Sequence, residues 1–179
     1  MVPIYIKHYN SPIGSLTIGS YQDKICLCDW TYRKMRTSID NRIKEGLKSE
    51  FHEGSTPIIE ETILQLNEYF KNKRKVFTIP LLFVGTNFQR SVWEALLTIP
   101  YGQTFSYLKL SKQLGNEKAI RAVAAANGAN SISILVPCHR IIGSDGNLIG
   151  YAGGLSAKMK LLELENAIQK PKDLFSELN

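Results

Sequence analysis

The sequence predicts an α+β fold in two domains: a small α/β domain with an antiparallel sheet over residues 1–85, then a mostly helical domain with a winged helix-turn-helix over 86–179. Three observations carry this. Short runs of alternating character fill the first thirty residues and are separated by turns, the pattern of strands joined as an antiparallel meander. After Gly85 the periodicity becomes helical. Between Ser106 and Ala126 a helix, a glycine turn and a second helix follow one another, the spacing of a helix-turn-helix. A chain of 179 residues has room for two such domains with ordinary cores.

In the first domain, Ile4, Ile6 and His8 alternate with Tyr5, Lys7 and Tyr9; Asn10-Ser11-Pro12 punctuates; Ile13–Ile18 is a second run. Ser20–Asp23 forms a second turn before a third run, Lys24–Trp30. Period-two alternation places Cys26 and Cys28 on one face with Trp30. A metal at Cys26 and Cys28 needs two further ligands, and only His8 and His52 lie near in sequence. A lone C-x-C is a weak metal signal, so packing is the expected role and no metal is expected. A helix is predicted within Ile39–Phe51. The next is sharper: Thr56 suits the N-cap, Pro57 the first helical position, and Ile59, Ile63, Leu66 and Phe70 the apolar stripe. Lys71–Lys75 places basic residues at its negative end, and Val76–Val84 reads as extended, interrupted by Pro80.

In the second domain, Thr86-Asn87-Phe88-Gln89 has capping-box spacing, and Phe88, Val92, Trp93 and Leu96 are the predicted buried face of a helix ending before Pro100. Ser106 caps a helix through Leu114, Gly115 closes it, and Asn116 caps a second helix from Glu117 to about Ala126. That second helix carries Ala119, Ala122, Ala124, Ala125 and Ala126 around one long cation, Arg121. A helix reading the major groove offers polar side chains to base edges; this one offers methyl groups. Small side chains allow close approach, so the face fits a minor-groove docker that pushes Arg121 into a duplex. Helix-favouring alanines packed in a bundle give the same pattern. Gly143–Asn147 is read as a tight turn between Ile141-Ile142 and Leu148-Ile149, a wing-like hairpin. Gly150–Gly154 is a loop with one aromatic, suited to closing over a planar ligand. Ser156 is the predicted cap of a last helix, Ala157–Ile168, and the tail from Pro171 is expected to fray.

The charge is modest, +6 overall, but residues 95–144 carry Lys109, Lys112, Lys118, Arg121 and Arg140 against the single acid Glu117. That concentration suits a polyanionic partner. Three cysteines do not make a disulfide framework. Neither a membrane span nor a secretion signal is legible, so a cytoplasmic setting, or a nuclear one in a eukaryote, is expected.

The chemistry gathers at Ile134-Leu135-Val136-Pro137-Cys138-His139-Arg140. Pro137 fixes its own φ and pushes Val136 toward an extended conformation. His139 and Arg140 supply positive charge, which favours thiolate over thiol and so a nucleophilic Cys138. The competing reading is an inert cysteine buried on a core strand, and local context leaves both open.

Taken together, Pro137–Arg140, Ile99-Pro100-Tyr101-Gly102, Arg121-Ala122-Val123 and Tyr151-Ala152-Gly153-Gly154-Leu155, in that register, resemble the methylated-DNA-protein-cysteine methyltransferases, the 6-O-alkylguanine-DNA alkyltransferases. The likeness is close from Phe88 to Glu165 and loose before it, and its single-module length resembles the constitutive bacterial type. The resemblance implies a ribonuclease H-like first domain and direct-reversal repair of double-stranded DNA containing alkylated bases. The base is flipped out through the minor groove, and its alkyl group passes irreversibly to the protein's own cysteine. It implies Cys138 as nucleophile, His139 as a base acting through water, Glu165 holding that histidine, Asn130 tethering the preceding segment, and Tyr107 donating a proton to guanine N3. On the DNA side it implies Arg121 filling the gap left by the base, with Tyr107, Asn116, Ala122 and Ser144 as further contacts, and Val136, Tyr151 and Ala152 in the substrate pocket. No cofactor and no membrane partner are implied, and a monomer is expected. Ser131 replaces a frequent proline and is expected to loosen its turn. Ile149 stands where a small or polar residue is commoner, and Ala152 lacks the hydroxyl some members carry, which leaves its backbone N–H for the 6-oxygen. A lesion-binding protein without transfer activity and a cysteine hydrolase with repeated turnover are the competing classes.

Overall fold

The computed structural model describes residues 2–168, so the predicted fraying beyond Pro171 lies outside the described residues. Strands β1 (Ile4–Ser11), β2 (Gly14–Tyr21) and β3 (Lys24–Trp30) form the predicted meander, and helix α1 (Arg36–Leu47) follows. A fourth strand, β4 (Phe51–Glu53), pairs parallel to β1. The sheet order is β3-β2-β1-β4, so the sheet is mixed rather than wholly antiparallel. The helix predicted to reach Phe51 stops at Leu47, with Lys48 in the left-handed region at φ 49°. Three residues with no clean alternation gave β4 no sequence signature; pairing with β1 makes it a strand.

The register of β2 and β3 shifts at Gly19/Ser20, which leaves Cys26 as the extra residue of a bulge. Cys26 packs with Ile4, Leu27, Ile39, Ile43 and Val84, whereas Cys28 and Trp30 belong to the main core. The predicted shared face of the two cysteines is therefore broken by the bulge.

Helix α2 (Pro57–Phe70) starts as predicted, with the Thr56 hydroxyl accepting from Ile59 N. Residues 76–84 run extended beside the free edge of β3, where Ile25 N donates to Pro80 O (2.9 Å) and Leu82 N to Ile25 O (2.8 Å). Further along the same edge, Cys28 N donates to Ser131 O (2.9 Å) and Ser133 N to Cys28 O (2.6 Å). The segment leading to Cys138 thus covers an otherwise unpaired strand edge. Ser131 also donates its hydroxyl to Cys26 O (3.4 Å). It anchors the turn it was expected to loosen.

Helix α3 (Asn87–Leu97) has the reciprocal capping box of Thr86 and Gln89. Val92, Trp93 and Leu96 are buried on it, but Phe88 faces solvent. Strand β5 (Phe105–Ser106), helix α4 (Tyr107–Gln113), a single 3₁₀ turn (Glu117–Ala119) and helix α5 (Ile120–Gly128) form the helix-turn-helix, with Gly115 at φ 76° closing α4. The Trp93 indole donates to Ala126 O (2.8 Å), which locks α5 onto α3. The wing does not form as a hairpin. Strand β6 (Ile141–Ile142) pairs parallel with β5, and residues 147–150 carry no strand. Helix α6 (Gly154–Leu164) begins earlier than predicted; Ser156 lies inside it and caps nothing, and Met159 is exposed. The main core draws on both sides of Gly85, from Leu16, Trp30 and Tyr69 to Trp93, Val136, Cys138 and Leu161.

Candidate active site

Cys138 lies in a 3₁₀ turn, Cys138–Arg140, and not on a strand. The turn follows a segment whose ten residues Ser131–Arg140 are all buried, with Ile134 at φ 72°, a conformation that is strained for a β-branched side chain. Asn130 holds this segment together. Its Oδ1 accepts from Ile132 N (2.9 Å), while Nδ2 donates to Val136 O (3.1 Å) and to the Cys138 sulfur (3.2 Å).

The next residue, His139, is wholly buried, and its Nε2 meets Glu165 Oε1 at 2.8 Å. Four other donors converge on the same carboxylate: Tyr69 hydroxyl on Oε1 (2.7 Å), Arg140 Nε on Oε2 (2.9 Å), Arg140 Nη2 on Oε1 (3.0 Å) and Gly102 N on Oε2 (3.3 Å). Burial works against ionisation of Glu165, but the hydrogen bond from His139 and the hydrogen bonds and charge of Arg140 hold it well below the usual carboxylate range. An ionised carboxylate only accepts, so Nε2 of His139 carries the proton and Nδ1 has a free lone pair. That Nδ1 has no hydrogen-bond partner among the described residues. Burial also pushes His139 below its ordinary value, against the pull of Glu165, so the ring is neutral near pH 7.

The positive charge expected to activate Cys138 does not come from its sequence neighbours. Arg140 is spent on Glu165 and on Ile99 O (2.5 Å), and His139 is neutral. Burial pushes the thiol up; the Asn130 hydrogen bond and the charges of Arg33 and Lys158 pull it back. The resting group is a thiol that needs a base, and a neutral imidazole with a free nitrogen is the adjacent residue.

The sulfur faces a cavity of about 590 Å³, within the range of ligand sites. Its walls include Tyr107, Asn127, Tyr151, Ala152 and, from the turn after β3, Tyr32 and Arg33. Tyr107 stands at the first position of α4, where Ser106 caps by accepting from Lys109 N (3.1 Å). Its phenol oxygen accepts from Asn127 Nδ2 at 3.5 Å, leaving its own proton free to be donated. Of the three predicted pocket residues, Tyr151 and Ala152 line the cavity. Val136 does not: its side chain is fully buried in the core and its carbonyl is held by Asn130. Arg121, Ala122, Asn116 and Ser144 are exposed and lie outside the cavity walls; the Asn116 side chain is used as a cap, accepting from Lys118 N (3.2 Å).

Four further residues contribute to the site without belonging to any motif in the sequence. Tyr69, wholly buried on α2, stands outside the predicted stripe of Ile59, Ile63, Leu66 and Phe70 and donates to Glu165. Lys158, wholly buried, sits among the apolar residues of α6 and donates to Ile149 O (2.6 Å) and Gly150 O (3.3 Å), fixing the loop that bears Tyr151. Burial lowers its amine to about 8. Asp29 and Arg33 form a buried pair at 2.8 Å. The signals were a lysine at an apolar helix position and an acid inside the run Ile25-Cys26-Leu27-Cys28-Asp29-Trp30.

Residues 87–167 match the model of the 6-O-methylguanine DNA methyltransferase DNA-binding domain, and residues 4–83 match that of the ribonuclease-like domain of the same family. A methylated-DNA–protein-cysteine methyltransferase of Mycobacterium leprae is 43% identical over 165 residues, covering 90% of this chain and 92% of that one. The constitutive enzyme of Bacillus subtilis is 39% identical, with 94% and 99% covered. The crystal structure of Mycobacterium tuberculosis OGT in complex with DNA superposes with a TM-score of 0.78 at 39% identity, covering 91% of this chain and 93% of that one.

Proposed function

The chain belongs to the 6-O-methylguanine DNA methyltransferase family, and from that premise we propose that it repairs alkylated DNA by moving the alkyl group of 6-O-alkylguanine onto Cys138. One observation carries the assignment of residues: a buried thiol held by Asn130 at the wall of a ligand-sized cavity is followed in the chain by a neutral histidine held by Glu165, whose Nδ1 has no partner among the described residues.

In this reading Nδ1 of His139 takes the thiol proton through a bridging water, and the S–C bond forms as the C–O6 bond breaks. Tyr107 passes its phenolic proton to guanine N3, so the purine departs neutral. The proton on His139 returns through solvent to the phenolate, and the balance is one thiol proton exchanged for one alkyl group. Glu165 stays ionised and stabilises the imidazolium while it exists. A thioether is a poor leaving group, so each molecule reacts once and nothing beyond the protein and the lesion is consumed.

Residues 1–85 and 86–179 are proposed as the two domains, the second docking α5 in the minor groove. The exposed Arg121 then replaces the flipped base, while Asn116, Ala122 and Ser144 meet the backbone. The protein acts as a monomer in the compartment that holds the DNA. Among the described residues no helix is long and apolar enough to cross a membrane. The test is mass spectrometry after incubation with duplex DNA carrying 6-O-methylguanine. The Cys138 peptide gains one methyl group, stoichiometrically; an unmodified peptide with the lesion still in the DNA overturns the reading.

A further inference from the structure

Arg33 comes from the turn after β3, yet most of its hydrogen bonds reach the other end of the chain. It is 7% exposed. Its Nη1 donates to Asp29 Oδ2 (2.8 Å) and to the backbone oxygen of Asn130 (2.7 Å), and its Nη2 donates to the backbone oxygen of Gly128. Asp29, with no exposure, also accepts from the Ser133 hydroxyl at 3.1 Å. The pair therefore grips the chain on both sides of Asn130. Gly128 closes α5, so one oxygen it holds belongs to the negative end of a helix, where a cation is favoured. Arg33 also contributes to the wall of the cavity that Cys138 faces. A surface ion pair needs none of this, since a fully forked arginine on two carbonyls and a carboxylate fixes a geometry.

We propose that Arg33 is a positioning residue for the transfer reaction, an N-terminal guanidinium that holds Gly128 and Asn130 so that the Asn130 amide meets the Cys138 sulfur, and that places positive charge where the sulfur becomes an anion. The inference rests on the proposed function and deepens it. Several titratable groups face the sulfur: Asp29 and Arg33 from the first domain, Tyr107 from α4, Tyr151 from the loop and Lys158 from α6, with His139 the next residue in the chain. Among them Arg33 pulls the thiol down and Asp29 pushes it up more weakly. The first domain is thereby part of the reaction centre and more than a scaffold for the second.

The test uses full-length Arg33→Gln, Arg33→Lys and Asp29→Asn proteins and three readouts. These are the single-turnover transfer rate at saturating protein, the pH profile of Cys138 labelling by iodoacetamide followed on its own peptide, and the Tm. Arg33→Gln lowers the saturated rate about tenfold or more, because small displacements of reacting groups are costly, and moves the labelling profile to higher pH. Arg33→Lys keeps the charge and recovers part of the rate with a profile near that of wild type. Asp29→Asn moves the profile the opposite way, to lower pH, which loss of a structural strut does not produce. If the variants melt lower yet transfer at the wild-type rate per folded molecule with unmoved profiles, Arg33 is only a strut and the proposal is wrong. If Arg33→Gln does not fold, the Lys and Asn profiles decide by the same criteria. Wild type that fails to transfer overturns the proposed function; iodoacetamide labelling needs no lesion and still tests Arg33.

Discussion

Replacing Glu165 by glutamine is the sharpest perturbation the site offers. The carboxylate accepts from His139, Tyr69, Gly102 and twice from Arg140, and the side-chain partners are not free to turn to water: His139 and Tyr69 are wholly buried and Arg140 is 7% exposed. Glutamine retains one accepting oxygen and points an NH₂ at the remaining donors, leaving the Arg140 cation uncompensated. Breaking a buried ion pair from one side costs about 3–5 kcal/mol. For a domain of this size the Tm falls by roughly 6–20 °C. Function suffers separately, because nothing then obliges His139 to keep its proton on Nε2. Losing the oriented base slows transfer by about 10²–10⁴-fold. The assay is urea and thermal unfolding alongside single-turnover transfer at a temperature where the variant remains folded. Adding Arg140→Met removes the stranded cation, and the double variant is more stable than Glu165→Gln alone. A single variant with wild-type Tm and a rate within about threefold refutes the reasoning, as does a double variant less stable than the single.

Four further outcomes are expected. Stability falls with acid. His139 has its folded value lowered, so the unfolded chain binds the proton first and stability is lost as pH drops below the ordinary imidazole value; Glu165, also lowered, adds to the loss through the carboxylate range, and urea midpoints from pH 8 to 4 check it. Transfer is flat across neutral pH and slows only below the ordinary imidazole value, where Nδ1 becomes protonated. Gly153→Ala places a Cβ 2.4 Å from the Trp30 indole and lowers stability by about 1–3 kcal/mol, seen as a reduced Tm. Arg121→Ala, an exposed position, leaves the Tm unchanged, slows transfer from duplex DNA, and leaves reaction with the free 6-O-methylguanine base at the wild-type rate. Equal slowing on both substrates argues against a duplex-opening role.

Much of the second half of the fold was legible because its signals are local. A capping box at Thr86, a serine cap at Ser106 and a glycine at Gly115 each act within four residues and hold in the structure. Other features depend on partners far along the chain. β4 is a strand only because β1 offers it an edge. The wing is absent as a hairpin: Ile141-Ile142 pairs with Phe105-Ser106, far back along the chain, and Leu148-Ile149 forms no strand. Period-two logic broke at Cys26 because the bulge is set by the register against β2.

By itself the sequence determined the starts of α2, α3 and α4, the likeness to a family, and the cysteine that matters, since caps, periodicity and motif order are properties of neighbours along the chain. Only the tertiary structure decided how that cysteine is tuned. The adjacent cation Arg140 is consumed by Glu165, while Arg33 and Lys158, which are 105 and 20 residues away in sequence, supply the charge at the sulfur. The reason is that electrostatics in a buried site acts through space and falls with distance and desolvation, not with separation along the chain.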